Sequence, residues 1–348
     1  MIKRMALIGF TANALERIAE ISKALTPETE LRIYRKDDDL KSFVGEAFRD
    51  CDAILFVSAA GIAVRSIAPY IQSKDRDPAV IVMDELGENI VPILSGHIGG
   101  ANDLAFEIAE ITGANPVITT GTDVNRKFAV DVWAVKNGFV IDDISKIKMI
   151  SSAVIHGEPV GLYVENPDAE IIGEIPPELT LVRDGDGVPE KGIYVGVRTD
   201  VSPFKETFRV FPRSLVIGSG CRRDKDPEVF CRTLRYIMSD CGLTMKAVAA
   251  LATIDIKKDE KCMKVFCEEE GIDMITFTAE ELMEEKGDFS HSAFVEKMTG
   301  ADNVSERAAF RAVRMMSGKA PQKHLAKTAL NDITLAVFEK EWEIRFDV

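Results

Sequence analysis

At 348 residues the chain exceeds one ordinary hydrophobic core, and at about 100–200 residues per domain it should form two or three domains. Its 46% hydrophobic and 29% charged content excludes disorder, and no run approaches the ~20 apolar residues of a membrane-spanning helix. With 43 Lys and Arg against 57 Asp and Glu, a formal net charge of −14, the composition excludes a nucleic-acid binder with a broad basic surface and makes any anionic ligand depend on a local cluster of cations.

The first element follows Lys3 and Arg4, where an apolar run over 5–10 is closed by Thr11, Asn13 and Glu16 before a secretory core can form; it reads as a strand. The six cysteines, Cys51, Cys221, Cys231, Cys241, Cys262 and Cys267, form no disulfide framework and read as reduced thiols, which places the protein in the cytoplasm. Over 1–136, β-like runs at 5–10, 30–34, 53–57, 79–83 and 116–119 alternate with helical spacing such as Leu15/Ile18/Ile21/Leu25 and Leu104/Ile108/Ile111. Asp84-Glu85-Leu86-Gly87-Glu88 reads as a hairpin turn into a further strand over 89–94. The fold class is therefore α/β and multidomain, with an N-terminal open, mostly parallel sheet flanked by helices. Ligands of such sheets bind beyond the carboxyl ends of the strands, and the turns at 58–61, 95–100 and 119–123 are expected there, sharing one cleft.

Over 137–211 prolines and glycines accumulate, as in Ile175-Pro176-Pro177 and Asp184-Gly185-Asp186-Gly187, and strands are short, near 160–164, 180–182 and 193–198. This reads as a small α+β middle module without chemistry of its own. A C-terminal α/β domain over 212–348 opens with a strand at 214–217 running into a turn, Gly218-Ser219-Gly220-Cys221-Arg222-Arg223, followed by a helix with Asp226 as N-cap and Pro227 at its first position. Further strands are expected near 251–254, 274–277, 332–338 and 342–346, with helices through Val265 and from Ala279.

The stretch 95–104, Ser95-Gly96-His97-Ile98-Gly99-Gly100-Ala101-Asn102-Asp103-Leu104, turns from a strand into a helix and carries a lone imidazole among three glycines. His97 can serve as base, acid or ligand near neutral pH, and the Gly99 and Gly100 N–H groups at a helix start can receive an oxyanion. A tight turn with a capping histidine fits the same residues. Asp123 can orient a histidine or cap a helix, with Arg126 and Lys127 close behind it. Arg65, after Gly61, is a further cation beside a glycine. In the Gly218 turn a third glycine of a dinucleotide fingerprint is missing, Arg223 standing in its place, so a nicotinamide site is rejected; Arg222 and Arg223 suit a ligand with several carboxylates. Along the chain no cysteine pairs with a second Cys or His at zinc-ligand spacing, and no metal site is expected. His156, His291 and His324 are isolated in sequence.

Taken together, these stretches resemble the cobalt-precorrin 5A hydrolase family of anaerobic cobalamin biosynthesis. The resemblance rests on Gly61-Ile62-Ala63-Val64-Arg65-Ser66-Ile67-Ala68-Pro69, Asp77-Pro78-Ala79-Val80, Leu94 through Asn102, and Pro116-Val117-Ile118-Thr119-Thr120 with Asp123. In the third segment it rests on Gly220-Cys221-Arg222-Arg223, 252–260 and 302–309. Ser219 and Ser305 depart from residues common in the family. The resemblance implies that water opens the δ-lactone of cobalt-precorrin 5A and that a two-carbon fragment leaves as acetaldehyde, giving cobalt-precorrin 5B. It implies no cofactor of the protein's own, since cobalt arrives within the corrinoid substrate. On this reading His97 is the general base and Asp123 orients it. Ser95, Gly96, Gly99, Gly100, Asn102, Gly61, Thr119 and Thr120 form the oxyanion or substrate loops, and Arg65, Arg222 and Arg223 grip carboxylates. The partner is the small cobalt-corrinoid, not nucleic acid or membrane, with a homodimer and transient contact with other pathway enzymes left open. A non-catalytic corrinoid carrier needs the arginines but no competent His97. A phosphate-ester or nucleotide enzyme lacks its Walker pattern.

Overall fold

The computed structural model describes residues 2–25, 28–73, 76–121, 127–183, 188–318 and 320–347, and the chain divides into two compact units, Met1–Val132 and Trp133–Val348.

In the first unit the strands are β1 (Arg4–Gly9), β2 (Glu30–Ile33), β3 (Ala53–Val57), β4 (Ala79–Met83), β5 (Asn89–Leu94) and β6 (Asn115–Pro116), in spatial order β2-β1-β3-β4-β5-β6. β2, β1, β3 and β4 run parallel, with Leu7 opposite Leu55 and Leu55 opposite Ile81. All five residues of β3 and of β4 are buried, because both faces of the sheet are covered. Helices α1 (Ala12–Ala24) and α4 (Ala101–Thr112) pack Ile18, Ile21, Leu104 and Ile108 on the face that carries Leu7, Leu55 and Ile81. Helices α2 (Leu40–Asp50) and α3 (Ala60–Ile67) pack Val44, Ala47, Ala63 and Ile67 against Ile8, Phe56 and Val82 on the other. Thr11 and Asp39 cap α1 and α2 through their side-chain oxygens. The expected hairpin is present: Asp84 accepts from the N–H groups of Leu86, Glu88 and Asn89, and β5 pairs antiparallel with β4.

That reversal corrects the expectation of one shared cleft. Val57 lies opposite Met83 and Met83 opposite Ile90, whereas Val80 lies opposite Leu94. The turn after β3, with Gly61, therefore stands at one end of the sheet, and the turn after β5, with His97, stands at the other, about 13 Å of strand away. β6 is parallel to β5, so Thr119 and Thr120 follow it to the His97 end.

In the second unit, which follows from helix α5 (Val130–Lys136), the strands β7 (Val140–Ile141), β8 (Val160–Val164), β10 (Leu179–Leu181), β11 (Lys191–Val195) and β12 (Glu206–Phe211) form a sheet ordered β10-β8-β11-β12-β7, flanked by α6 (Ile147–His156). A second sheet, β15-β14-β13-β17-β16, joins β13 (Leu215–Cys221), β14 (Val248–Ile254) and β15 (Asp273–Phe277) in parallel. It closes with antiparallel β17 (Ile333–Glu339) and β16 (Gln322–Leu330). Helices α7 (Pro227–Asp240) and α8 (Lys261–Glu270) bury Phe230, Leu234, Ile237 and Phe266 on one face of it. On the other lie α9 (Ala279–Glu284), α10 (Ala293–Thr299) and α11 (Val304–Ser317), with Leu282, Ala308, Ala309 and Ala312 in the core. A short C-terminal strand, β18 (Glu343–Arg345), returns to pair with β9 (Glu170–Ile172), and Phe346 stacks on Trp133 at 5.4 Å, tying the ends of this unit together.

The expected turn at Gly218 is corrected as well. β13 continues through Gly218, Ser219 and Gly220 to Cys221. A Cβ at Gly218 would overlap the Ser305 carbonyl oxygen and lie 2.9 Å from the Ala309 Cβ. Gly218 thus lets α11 approach the strand closely, and at Gly220 a Cβ would lie 3.0 Å from Thr334 Oγ1 of β17.

Candidate active site

The loop after β5 is built on backbone that few sequences tolerate. Ser95 sits at φ +55 and Gly100 at φ +80. A Cβ at Gly99 would overlap the Ser95 Cβ and approach the Ser95 carbonyl oxygen to 2.9 Å, and one at Gly96 would lie 2.8 Å from Asn102 Oδ1. The glycines thus permit a coil folded back on itself, in which Ala101 N–H donates to Ser95 O at 3.1 Å and Asn102 N–H donates to Gly96 O at 2.9 Å.

Three braces fix the coil from outside. Ser95 Oγ donates to Asp77 O at 2.9 Å, and the buried Asp77 carboxylate itself accepts Gln72 N–H at 3.0 and 3.1 Å. The buried Asn102 amide donates to Thr120 Oγ1 at 3.1 Å. Nδ1 of His97 lies 3.2 Å from both oxygens of Asp131, on the first turn of α5. Asp131 is 5% exposed: burial pushes its carboxyl up, but the hydrogen bond and charge of His97 outweigh burial and hold it below the ordinary carboxylate range. An ionised carboxylate against Nδ1 favours the Nδ1–H tautomer of the ring.

The structure therefore brings together Ser95, Gly96, His97, Gly99, Gly100, Asn102 and Thr120, and adds Asp131, which sequence reasoning missed. Asp123 and Arg126 lie outside the described residues. Asp131 sits in the apolar run Val130-Asp131-Val132-Trp133, and an acid there was the available signal. Gly100 is corrected as an oxyanion donor: its N–H is already given to His97 O at 2.9 Å. Gly99 N–H has no hydrogen-bond partner among the described residues. Thr119 is exposed, next to Thr120.

Gly61 and Arg65 stand apart at the far end of the same sheet, where Arg65 folds back so that Nη1 lies 3.3 Å from a Cβ position at Gly61. Arg65 is exposed, and among the described residues no carboxylate pairs with it. Arg222 and Arg223 belong to the second unit. Both are exposed just beyond β13, with Arg222 Nε 3.6 Å from Asp332. All six cysteines are free thiols, as expected, and two of them, Cys221 and Cys262, 41 positions apart, meet at a 3.7 Å Sγ–Sγ distance.

Three family models match the chain in order: Cobalamin synthesis G N-terminal over residues 42–123, Cobalamin biosynthesis central region over 128–206 and Cobalamin synthesis G C-terminus over 215–338. A cobalt-precorrin-5A hydrolase of Salmonella typhimurium is 34% identical over 270 residues, covering 76% of this chain and 77% of the relative. The chain belongs to the cobalt-precorrin-5A hydrolase family. A second cobalt-precorrin-5A hydrolase, from Priestia megaterium, is 28% identical over 325 residues, 89% of this chain and 84% of the relative. A crystal structure of a cobalamin biosynthesis protein G homolog from Sulfolobus solfataricus is similar at 22% identity with a TM-score of 0.41, covering 97% of this chain and 98% of that one. Within this family the α/β, multidomain architecture and the glycine-histidine loop occupy the matched regions, and no helix among the described residues is long and apolar enough to cross a membrane.

Proposed function

We propose that this cobalt-precorrin-5A hydrolase, which opens the substrate's δ-lactone and releases acetaldehyde, does so at the His97 loop of its N-terminal unit. The observation that carries the reading is the His97–Asp131 pair, with a buried carboxylate on Nδ1 of a histidine in a strained glycine coil. Asp131 holds the imidazole in the Nδ1–H form, so Nε2 takes a proton from water as the water oxygen bonds to the lactone carbonyl carbon. The carbonyl electron pair moves onto oxygen, where Gly99 N–H receives it. Collapse of this intermediate breaks the acyl–oxygen bond and frees the alkoxide on the two-carbon arm. The alkoxide becomes the carbonyl of acetaldehyde as the carbon–carbon bond to the macrocycle breaks, and its electron pair passes into the conjugated ring, which is then protonated. Ser95, Gly96, Asn102, Thr119 and Thr120 shape the loop that receives the lactone.

Three exposed guanidinium groups, Arg65 on the first unit and Arg222 and Arg223 on the second, are suited to binding carboxylates in a protein of net charge −14. Cobalt enters as part of the substrate, and no resident cofactor takes part in these steps. We place the protein in the cytoplasm, a setting in which free thiols such as its six cysteines persist.

The test is turnover of cobalt-precorrin 5A in ¹⁸O-water, with acetaldehyde measured through alcohol dehydrogenase. The expected result is one acetaldehyde per substrate and one solvent oxygen in the new carboxylate. Binding without acetaldehyde would make the protein a carrier, and a product carboxylate without label would exclude water attack on the carbonyl.

A further inference from the structure

We infer that Cys221, Glu260 and Cys262 form a binding site for one thiophilic divalent cation of the zinc class, separate from the His97 loop. Cys221 is the last residue of β13, Glu260 precedes α8, and Cys262 is the second residue of that helix. β13 and β14 are adjacent and parallel, so the end of β13 and the start of the helix after β14 emerge at the same edge of the sheet, the edge where open α/β sheets bind ligands. There the two sulfurs are 3.7 Å apart, and one carboxylate oxygen of Glu260 lies within 4.8 Å of both.

The geometry suits coordination. Two thiolates on a tetrahedral ion with metal–sulfur bonds of about 2.3 Å stand about 3.8 Å apart, close to the distance observed. Cys262 is fully buried and the Glu260 side chain is 8% exposed, so both are fixed in the protein, while Cys221 is only part-buried and gives an ion its way in. Lys257 Nζ binds Glu260 Oε2 at 2.7 Å and orients the carboxylate, the outer-shell support that metal ligands usually have. Two thiolates and a carboxylate select a borderline ion such as Zn²⁺ over Mg²⁺ or Ca²⁺, and three protein ligands leave the fourth position open to water. Binding transfers no electrons; two thiol protons leave to solvent and the site becomes M²⁺ with two thiolates and one carboxylate, a net charge of −1.

The test uses the full chain, reduced and treated with chelator, titrated with Zn²⁺ against a chromophoric competitor and with Co²⁺ by absorption. The expected result is one equivalent per chain, a thiolate-to-Co²⁺ charge-transfer band with intense tetrahedral d–d bands, and proton release that grows with the fraction of thiol. Cys221→Ser should abolish the band, and Glu260→Gln should weaken affinity by at least about tenfold. Cys221→Ser should keep the wild-type circular dichroism and metal-free melting temperature, and, at the less buried thiol, it keeps the test decisive should a Cys262 variant, or Glu260→Gln with its ion pair to Lys257 weakened, lose stability. A wild-type chain that binds no Zn²⁺, or a Cys221→Ser chain that binds it equally well, overturns the site. These readouts need no corrinoid, so they stand whatever the outcome for lactone opening.

Discussion

Replacing Asp131 separates orientation of His97 from its tautomer. In Asp131→Ala the imidazole loses a buried, charged partner that touches Nδ1 through both oxygens at 3.2 Å. A hydrogen bond to a charged group contributes about 1.5–3 kcal/mol, and contacts longer than the ~2.8 Å of the strongest charge-assisted bonds place this one in the lower half of that range. If about 1.5–2 kcal/mol of it is expressed in the transition state, kcat falls by about 10- to 30-fold. Asp131→Asn is nearly isosteric yet should be the more damaging variant. Its amide nitrogen can donate to Nδ1, which puts the ring proton on Nε2 and removes the base, a loss on the scale of about 10²–10⁴ for acid–base catalysis. The assay is acetaldehyde release under saturating cobalt-precorrin 5A, with KM and the melting temperature of each variant measured alongside; KM should stay close to wild type. Turnover within twofold of wild type in both variants would refute the pair's role, and an Asn variant milder than Ala would refute the tautomer argument.

Gly99→Ala forces a Cβ into Ser95 and should cost about 1–3 kcal/mol of stability and lower kcat at least tenfold. Gly113→Ala, at φ +75 with no atom within 4 Å at the other end of α4, should cost stability alone, as melting curves and turnover will show. Arg222→Ala should weaken corrinoid binding by about 5- to 30-fold in an absorption titration, and the difference should shrink as salt is raised, because the side chain is 79% exposed. Asp302 is held below the ordinary carboxylate range by the hydrogen bond from Arg307, against burial. Its folded value lies below its unfolded one, so its contribution is present above the unfolded value of about 3.9 and lost as pH falls through the folded value. Asp302→Asn should therefore destabilise the chain by about 2–3 kcal/mol at pH 7, the partial loss expected while Arg307 keeps Leu282 O and Glu285 O, with a gap that closes below about pH 4 in denaturant titrations.

The parallel core strands were legible because burial on both faces writes continuous apolar runs: 53–57, 79–83 and 160–164 match their strands residue for residue. Caps were legible where the capping residue is local, as at Asp226, which accepts from Val229 N–H ahead of Pro227. The direction of a strand was not. The hairpin at 84–88 was read correctly, but its consequence, that the His97 loop leaves the sheet at the end opposite Gly61, follows only once β5 is paired with β4. Glycine also carried two meanings that spacing cannot separate: Gly99 keeps a coil closed, whereas Gly218 makes room for the Ser305 carbonyl of α11. Strands β12 and β16 were missed because Glu206–Phe211 lies at the end of a module rich in proline and glycine and Gln322–Leu330 is largely exposed and polar. Partners distant in sequence were hidden for the same reason. His97 and Asp131 are 34 positions apart and Cys221 and Cys262 41, and only the packed sheet edges bring them together.

The most direct test of lactone opening at the His97 loop is a single-turnover comparison of wild type and His97→Ala, with cobalt-precorrin 5A binding followed by its absorption and acetaldehyde followed in the same samples. Binding should be nearly unchanged while the rate of acetaldehyde release falls by about 10²–10⁴. Release at the wild-type rate from the alanine variant would contradict the account and move the chemistry away from this loop.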